Sequence, residues 1–164
     1  MYRIIFAYGS NMSSARLKAR VPSARKLGRG ALHQHRLRFH KRGADGSAKA
    51  NAFYTGDTAD IVHGVLFEID ENELQDLDRA EPGYERSSLN IDVVSGAGPS
   101  SADVYRAKPE SIVETLLPFD WYLQLVITGA HEHGLPDDYC TQLQSIKSTP
   151  DRQREDMGRK KKEV

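Results

Sequence analysis

Residues 6–12, with the sequence FAYGSNM, form a pattern that could bind a small anionic group. The apolar residues before Gly9 predict a buried strand, and Gly9 permits backbone dihedrals and close approaches that a side chain would block. Ser10 or Asn11 is expected to cap the next segment, and a short helix is predicted from about Ser13. Several amide N–H groups would then point into one small space, which suits an anion or a polarised carbonyl oxygen. An ordinary strand-to-helix turn would use the same residue types.

Glu81 is the second candidate for chemistry, because it stands directly before the helix-breaking pair Pro82-Gly83. The residue before a proline favours extended dihedrals, so Glu81 should leave the helix near its partially negative C-terminal end. That position and any burial would both raise the pKa of the carboxyl toward the range in which it exchanges protons near neutral pH. The alternative is an exposed acid on an already acidic helix.

The elements that must position these residues are mostly short strands. Alternating and continuous apolar runs predict strands at 4–7, 33–43, 50–56, 63–69, 88–94 and around Val104 and Tyr105, with loops at 43–49 and 96–101. Helical spacing predicts further helices over 71–81, from Asp120 to Gly134, and over 137–146. We therefore predict an α+β fold built on a small barrel or a strongly curled sheet.

Composition favours one modest domain. The chain has 164 residues, of which 38% are hydrophobic, and apolar periodicity ends near residue 150. We expect a single domain over 1–150 and a charged, disordered tail over 151–164. No signal-peptide pattern and no apolar stretch of about 20 residues is present, so a cytoplasmic protein without a membrane partner is predicted. Cys140 is the only cysteine, which excludes an intramolecular disulfide.

The net charge of zero conceals a strong asymmetry. Residues 1–50 contain 12 Lys or Arg and one acid, Asp45, so they carry +11 and the remainder carries −11. A nucleic-acid footprint would draw on basic residues of this half: Arg16, Lys18, Arg20, Arg25, Lys26 and Arg29. Aromatic residues are scarce among them and no RNA-binding signature is present, so nucleic acid is not the expected partner. The favoured interpretation is a basic half that packs against the acidic half, with a positive field suited to anionic substrates.

Metal and nucleophile chemistry are weaker alternatives. His33 and His35 are expected on one strand face, and His131 and His133 lie close together in sequence, but positions i and i+2 diverge on a helix and no H-E-x-x-H motif is present. We therefore predict no metal and interpret these histidines as polar surface groups. Ser10 lacks the flanking glycines of a nucleophile elbow, so it is interpreted as a hydrogen-bond donor or cap.

Three blocks in order resemble the gamma-glutamylcyclotransferase family, within the AIG2-like superfamily. They are FAYGSN at 6–11, LDRAEPGYER at 77–86 and GAHEHGLPDDY at 129–139, and RVPSA at 20–24 is similar to the region after the family's first loop. The resemblance covers most of residues 4–147. It implies a small mixed β-barrel flanked by helices, with a pocket at one mouth.

The resemblance also implies an activity and a set of site residues. The activity is the cyclisation of gamma-glutamyl amino acids or amines to 5-oxoproline with release of the free amine, an amidine-lyase-type or acyltransferase reaction without a covalent intermediate or a cofactor. Its catalytic glutamate falls on Glu81. The implied substrate-binding residues are Phe6, Ala7, Tyr8, Gly9, Ser10, Asn11, Tyr84, Tyr105 and Tyr122.

Two questions stay open at the level of the sequence. The leaving group could be an amino acid, a lysine side-chain amine or a carrier-tethered precursor, and a homodimer is an open alternative to a monomer. From a different class of function, the chain could be a non-catalytic barrel that binds a small acid, a protein or RNA through its basic N-terminal half.

Overall fold

The computed structural model describes residues 1–94 and 99–155. Its strands are β1 Tyr2–Ala7, β2 Arg25–His33, β3 His35–Arg42, β4 Ala48–Tyr54, β5 Ile61–Asp70, β6 Tyr84–Val93 and β7 Pro99–Ala107. Five of them close a barrel in the order β1-β5-β2-β6-β7, while β3 and β4 form a separate two-stranded sheet. This confirms the predicted α+β fold with a small barrel.

The barrel is mixed, because β1 pairs in both directions. It runs antiparallel to β5, with Phe6 opposite Leu66, and parallel to β7, with Ile5 opposite Asp103. β5 is buried on both of its faces: the apolar residues at its centre are at most 2% exposed, namely Val65, Leu66, Phe67 and Ile69. Burying this strand on both sides adds hydrophobic stabilisation near the end of β1.

The helices are α1 Ser14–Arg20, α2 Leu74–Arg79, α3 Asp120–Glu132 and α4 Asp137–Gln144. Single 3₁₀ turns lie at Ser10–Met12, Glu71–Glu73 and Pro109–Ser111. None of the helices in the described part of the chain is long and apolar enough to cross a membrane. The predicted helix starts near Ser13 and Asp120 and the predicted ends near Pro82 and Gly134 are confirmed.

The cap of α1 differs from the prediction. Ser13 takes this position, because its side chain accepts a hydrogen bond from the N–H of Arg16 at 3.3 Å. Ser10 and Asn11 instead belong to the 3₁₀ turn, whose N-cap, Gly9, has no side chain to bond. The extra turn moves the cap three residues along the chain and leaves Ser10 and Asn11 free for other contacts.

One predicted strand, one missed strand and one predicted loop also need correction. The predicted strand 33–43 is broken at Gln34, whose positive φ of 64° turns the chain from β2 into β3. Most of β2 was missed, because charged residues and glycines obscure its pattern and its pairing with β5 is what defines it. The predicted loop 96–101 is shorter than expected, since β7 begins at Pro99, while residues 95–98 lie outside the described residues.

α3 fixes the position of the segment that follows β1. Gly129 of α3 faces Met12, and a Cβ added at Gly129 would lie 2.8 Å from the Cβ of Met12. Met12 is fully buried in this contact. The small residue therefore lets α3 approach the 3₁₀ turn closely and hold it against the barrel.

The basic and acidic halves of the sequence pack against each other, as predicted. Ion pairs join residues 1–50 to later acids in Arg3–Asp103, Arg20–Glu81, Arg25–Glu68 and Arg38–Glu114. Two members of the alternative nucleic-acid footprint, Arg20 and Arg25, are therefore engaged within the chain.

Only residues 151–155 of the predicted tail are described. The indole N–H of Trp121 donates to Asp151 at 3.0 Å, and the guanidinium of Arg154 lies 4.5 Å from the Trp121 ring centroid. Residues 156–164 lie outside the described residues. The division into a domain over 1–150 and a tail stays a prediction.

Candidate active site

A cavity beside the C-terminal end of β1 collects residues from well-separated parts of the chain. Its lining residues are Phe6, Ala7, Tyr8, Gly9, Ser10, Asn11, Ala50, Glu81, Tyr84, Tyr105 and Tyr122. All ten residues that the sequence proposed for the site are among them, and Ala50 of β4 is the addition. The fold thus brings the loop, the carboxylate and the tyrosines together in one place.

Close packing at this cavity favours a glycine at position 9. Its φ of −112° is negative, so the left-handed region is not the reason for a glycine. A Cβ at this position would lie 3.2 Å from the Cβ of Ala50 and 3.6 Å from the hydroxyl of Tyr122. The absence of a side chain therefore lets the loop backbone come close to β4 and α3.

The loop offers free backbone donors. The N–H groups of Met12 and Ser13 donate to the carbonyls of Gly9 and Ser10, both at 3.1 Å. Among the described residues, no acceptor is found for the N–H groups of Gly9, Ser10 or Asn11. Three adjacent unpaired donors beside a cavity form a nest that can hold a carboxylate or a polarised carbonyl oxygen.

Glu81 enters the cavity from a tight turn. The N–H of Tyr84 donates to the carbonyl of Glu81 at 3.3 Å, with Pro82 and Gly83 between them, and Gly83 has a φ of +82°. This is the arrangement of a type II turn, which favours proline followed by glycine. The Glu81 side chain is only 16% exposed, so the alternative of an exposed acid on the surface of the helix is wrong.

Two side chains hold the Glu81 carboxylate. Asn11 donates from Nδ2 to Oε1 of Glu81 at 2.7 Å, and Nη1 of Arg20 lies 3.3 Å from the same oxygen. Arg20 also donates to Oδ1 of Asn11 at 2.8 Å, which fixes the orientation of the amide. Burial raises the pKa of Glu81 above its ordinary value, and the charge of Arg20 and the bond from Asn11 offset part of that rise.

Arg20 is the contact that the sequence did not reveal. Its position at the end of α1 placed it in the basic half and in the RVPSA block, and neither feature indicated a carboxylate partner 61 positions away. Ala50 was also missed. It takes part in the site through its backbone N–H and carbonyl, which the residue type does not reveal. A signal for Arg20 existed only in its place within that family block.

The tyrosine hydroxyls are not equivalent. Tyr8 donates to the carbonyl of Tyr105, Tyr84 donates to the carbonyl of Ala50 at 2.6 Å, and Tyr105 donates to Asp78 at 2.5 Å. These three hydroxyl protons are therefore occupied, and the three rings serve as walls.

Tyr122 is the exception among the tyrosines. Its hydroxyl oxygen accepts the N–H of Ala50 at 3.0 Å, and the side chain of Ser10 lies within hydrogen-bonding reach. Within the described part of the chain the hydroxyl donates to no backbone carbonyl or carboxylate. Burial raises the pKa of Tyr122 to about 12, so the hydroxyl stays neutral near physiological pH. It can donate a hydrogen bond to a bound molecule.

The interpretation of the histidines as surface groups is partly wrong. His133 is buried, with Nε2 2.7 Å from the carbonyl oxygen of Met12, and His35 is buried with Nδ1 2.8 Å from the carbonyl of His33. His33 and His35 also belong to different strands, separated by the Gln34 turn. His33 and His131 are exposed, as expected.

Solved structures share this fold. A gamma-glutamyl cyclotransferase superposes with a TM-score of 0.83, covering 98% of this chain and 99% of that chain at 23% sequence identity. An uncharacterised human protein superposes with a TM-score of 0.81, covering 90% and 89% of the two chains at 25% identity. The barrel, its flanking helices and the cavity at the end of β1 therefore define a protein of the gamma-glutamylcyclotransferase-like fold class.

Sequence comparison narrows the class to a family. A gamma-glutamylcyclotransferase of Bos taurus is 27% identical over 150 residues, which cover 87% of this chain and 78% of the relative. The model of the AIG2-like family matches residues 61–143, a segment that includes α2, Glu81 and the Gly129 block. The chain belongs to the AIG2-like family.

Proposed function

We propose that this chain is a gamma-glutamylcyclotransferase, an enzyme that converts a gamma-glutamyl amino acid or amine to 5-oxoproline and the free amine. The names of the cattle and human relatives support this activity, as does the family. One observation carries the proposal for this chain. A largely buried carboxylate of raised pKa, Glu81, shares a small cavity with three backbone N–H groups that have no acceptor among the described residues. The site can remove a proton and hold a developing negative charge at the same time.

The reaction needs no nucleophile from the protein. The α-amine of the substrate attacks its own gamma-carbonyl carbon, which forms the ring C–N bond, and the bond from that carbon to the leaving nitrogen then breaks. The α-ammonium gives up two protons and the leaving nitrogen gains two, so atoms and charge balance without a co-reactant. Because the attacking amine is tethered to the carbonyl, the enzyme has to orient it and move protons.

Glu81 is the proposed general base. As a carboxylate it accepts a proton from the α-ammonium, and as a carboxylic acid it returns a proton to the departing nitrogen. A raised pKa suits both steps, since a carboxyl of ordinary pKa would be a poor acid near neutral pH. Asn11 and Arg20 act on Glu81 and are positioning residues in this scheme.

The free N–H groups of Gly9, Ser10 and Asn11 are the proposed site for a substrate oxygen, either the α-carboxylate or the carbonyl oxygen that gains charge. A donor aimed at such an oxygen is typically worth a few kcal/mol in the transition state. Tyr122 adds a hydroxyl proton to the same cavity. Tyr8, Tyr84 and Tyr105, whose hydroxyls are occupied, would wall the reacting atoms off from water.

The test is direct detection of product. The purified chain is incubated with gamma-glutamyl amino acids and with gamma-glutamyl-lysine, and 5-oxoproline is measured by mass spectrometry. Glu81→Gln should lose nearly all turnover and keep its fold, because the amide can still accept from Asn11 but cannot take a proton. Glu85→Gln makes the same change at an exposed position of β6 and should behave as wild type.

The possible results separate the alternatives. Turnover retained by Glu81→Gln would exclude Glu81 as the base while leaving the activity in place. Absence of product from every substrate would instead favour a carrier-tethered substrate or a non-catalytic barrel that binds through the basic half. The cytoplasmic location and the homodimer stay predictions.

A further inference from the structure

A second cavity adjoins the first. Its volume is about 290 Å³, against about 40 Å³ for the inner cavity, and the two share Ser10, Glu81, Tyr84 and Tyr122. We call it the outer chamber. Since the inner cavity is too small for a whole dipeptide and Glu81 lies at the junction, the leaving amine has to extend into the outer chamber.

The outer chamber is strongly cationic. Apart from Glu81, its charged lining residues are Arg16, Arg20, Lys41, Lys49 and Asp45. Two of the cations have carboxylate partners: Arg20 lies 3.3 Å from Glu81, and Lys49 lies 3.0 Å from Asp45. Within residues 1–94 and 99–155, neither Arg16 nor Lys41 is paired with a carboxylate.

These two unpaired cations are poorly solvated. Lys41 is 4% exposed, its ammonium donates to the carbonyl of Pro82 at 2.5 Å, and it lies 4.6 Å from the ring centroid of Tyr84. Arg16 is half-buried, and its Nε is buried without a hydrogen-bond partner among the described residues. Burial lowers the pKa of both groups. An anion that entered the chamber would satisfy donors that the protein leaves without a counter-charge.

We propose that the outer chamber selects a leaving amine that carries two carboxylates, so that the preferred substrates are gamma-glutamyl dipeptides of glutamate or aspartate. This inference rests on the proposed cyclotransferase activity. The α-carboxylate of the leaving amino acid and its side-chain carboxylate supply one anion for Arg16 and one for Lys41. A neutral leaving amino acid supplies only one, and a lysine brings an additional ammonium into a chamber that is already positive.

The experiment compares two substrates that differ by one charge and little in shape, gamma-glutamyl-glutamate and gamma-glutamyl-glutamine. The extra carboxylate of gamma-glutamyl-glutamate would form a hydrogen-bonded ion pair with a cation of the partly dehydrated chamber. We therefore expect a preference in kcat/KM of about 10-fold or more for the acidic substrate. That preference should reside mainly in KM and should shrink as KCl is raised, because salt screens the pair.

Variants of α1 assign the preference to the chamber. Arg16→Gln should reduce the ratio of the two kcat/KM values about 5-fold or more, while Arg16→Lys, which keeps the charge, should retain most of it. Lys18→Gln removes an exposed cation from the same helix and should leave the ratio unchanged. Circular dichroism of each variant checks that α1 and the barrel are intact.

The outcomes distinguish this inference from the proposed function. Release of 5-oxoproline from both substrates with equal kcat/KM would overturn the selection for acidic leaving groups and leave the cyclotransferase activity standing. A preference that survives intact in a folded Arg16→Gln variant would also overturn it. Absence of 5-oxoproline from both substrates and from gamma-glutamyl-alanine would overturn the proposed activity itself, and this inference with it.

Discussion

Replacement of Arg20 by methionine tests how the Glu81 carboxyl is controlled. Methionine keeps the apolar length of the side chain but removes the charge that lies 3.3 Å from Oε1 of Glu81. Since Arg20 opposes the effect of burial, the pKa of Glu81 should rise further in the variant. A general base works only when ionised, so the acid limb of the pH profile of kcat/KM should move to higher pH.

The size of the effect follows from the geometry of the pair. The Arg20 and Glu81 side chains are 25% and 16% exposed, so solvent screens them only in part. Opposite charges about 4 Å apart interact by about 4 kcal/mol at an effective dielectric constant near 20, before desolvation is counted. An opposite charge at such a distance usually lowers a carboxyl pKa by about 1–3. We therefore expect the acid limb to move by about 1 pH unit or more, which corresponds to about tenfold lower activity on that limb.

The assay is 5-oxoproline release measured from pH 5 to 9 for the wild type, Arg20→Met and two controls. Arg20→Lys keeps a positive charge and should move the limb less, and Lys18→Met changes an exposed residue of the same helix. Loss of the bond from Arg20 to Asn11 should also lower the plateau at high pH, since Asn11 is less well oriented. The position of the limb reports the charge, whereas the height of the plateau reports the orientation.

An acid limb that stays in place in Arg20→Met, or that moves to lower pH, would refute the reasoning. It would mean either that Glu81 is not the group that titrates in catalysis or that solvent already screens the pair fully. Recovery of activity at high pH is expected, and its absence in a folded variant would indicate a purely structural role for Arg20.

Three further predictions follow from single contacts. Glu81→Gln should melt at a higher temperature than the wild type at pH 8, because a carboxyl whose pKa is raised in the folded state destabilises the fold when it is ionised. The increase in melting temperature should vanish below the ordinary pKa of 4.5, where the carboxyl is protonated in both the folded and the unfolded state. Tyr122→Phe leaves the buried N–H of Ala50 without its acceptor and should cost about 1–3 kcal/mol in urea unfolding, so an unchanged midpoint would contradict this bond. Gly83→Ala places a Cβ 2.8 Å from Lys41 at a φ of +82° and should cost about 1–3 kcal/mol and slow turnover, since the same turn carries Glu81; wild-type kcat/KM would argue against that coupling.

Several elements could be predicted because their signals are local. The apolar run before Gly9 specifies β1, the Pro82-Gly83 pair specifies the end of α2 and the turn after it, and Gly134 marks the end of α3. Each signal depends on backbone preferences and periodicity within one or two turns of chain. The same locality made the free N–H groups after Gly9 foreseeable.

Other features depended on partners far along the chain. Only two residues of β2, Ala31 and Leu32, are buried hydrophobics, and this strand forms because it pairs with β5 and β6. The expected cap was wrong because a 3₁₀ turn, held under α3 by the contact of Met12 with Gly129, precedes α1. At such positions, tertiary pairing outweighs the intrinsic secondary-structure propensity of the residues.

The sequence by itself therefore determined the parts of the site, namely a glycine-containing loop after a strand and a glutamate in a proline-glycine turn. It also determined the family, through blocks that occur in a set order. Only the tertiary structure decided that Arg20 pairs with Glu81 and that the Tyr122 hydroxyl accepts from the backbone of β4 where the other cavity tyrosines donate. It also decided that Arg16 lines the outer chamber with no carboxylate partner among the described residues. The physical reason is that a pKa, a free donor or an unpaired charge depends on which groups from other elements come within a few ångströms, and burial on closing the barrel sets how strongly those groups interact.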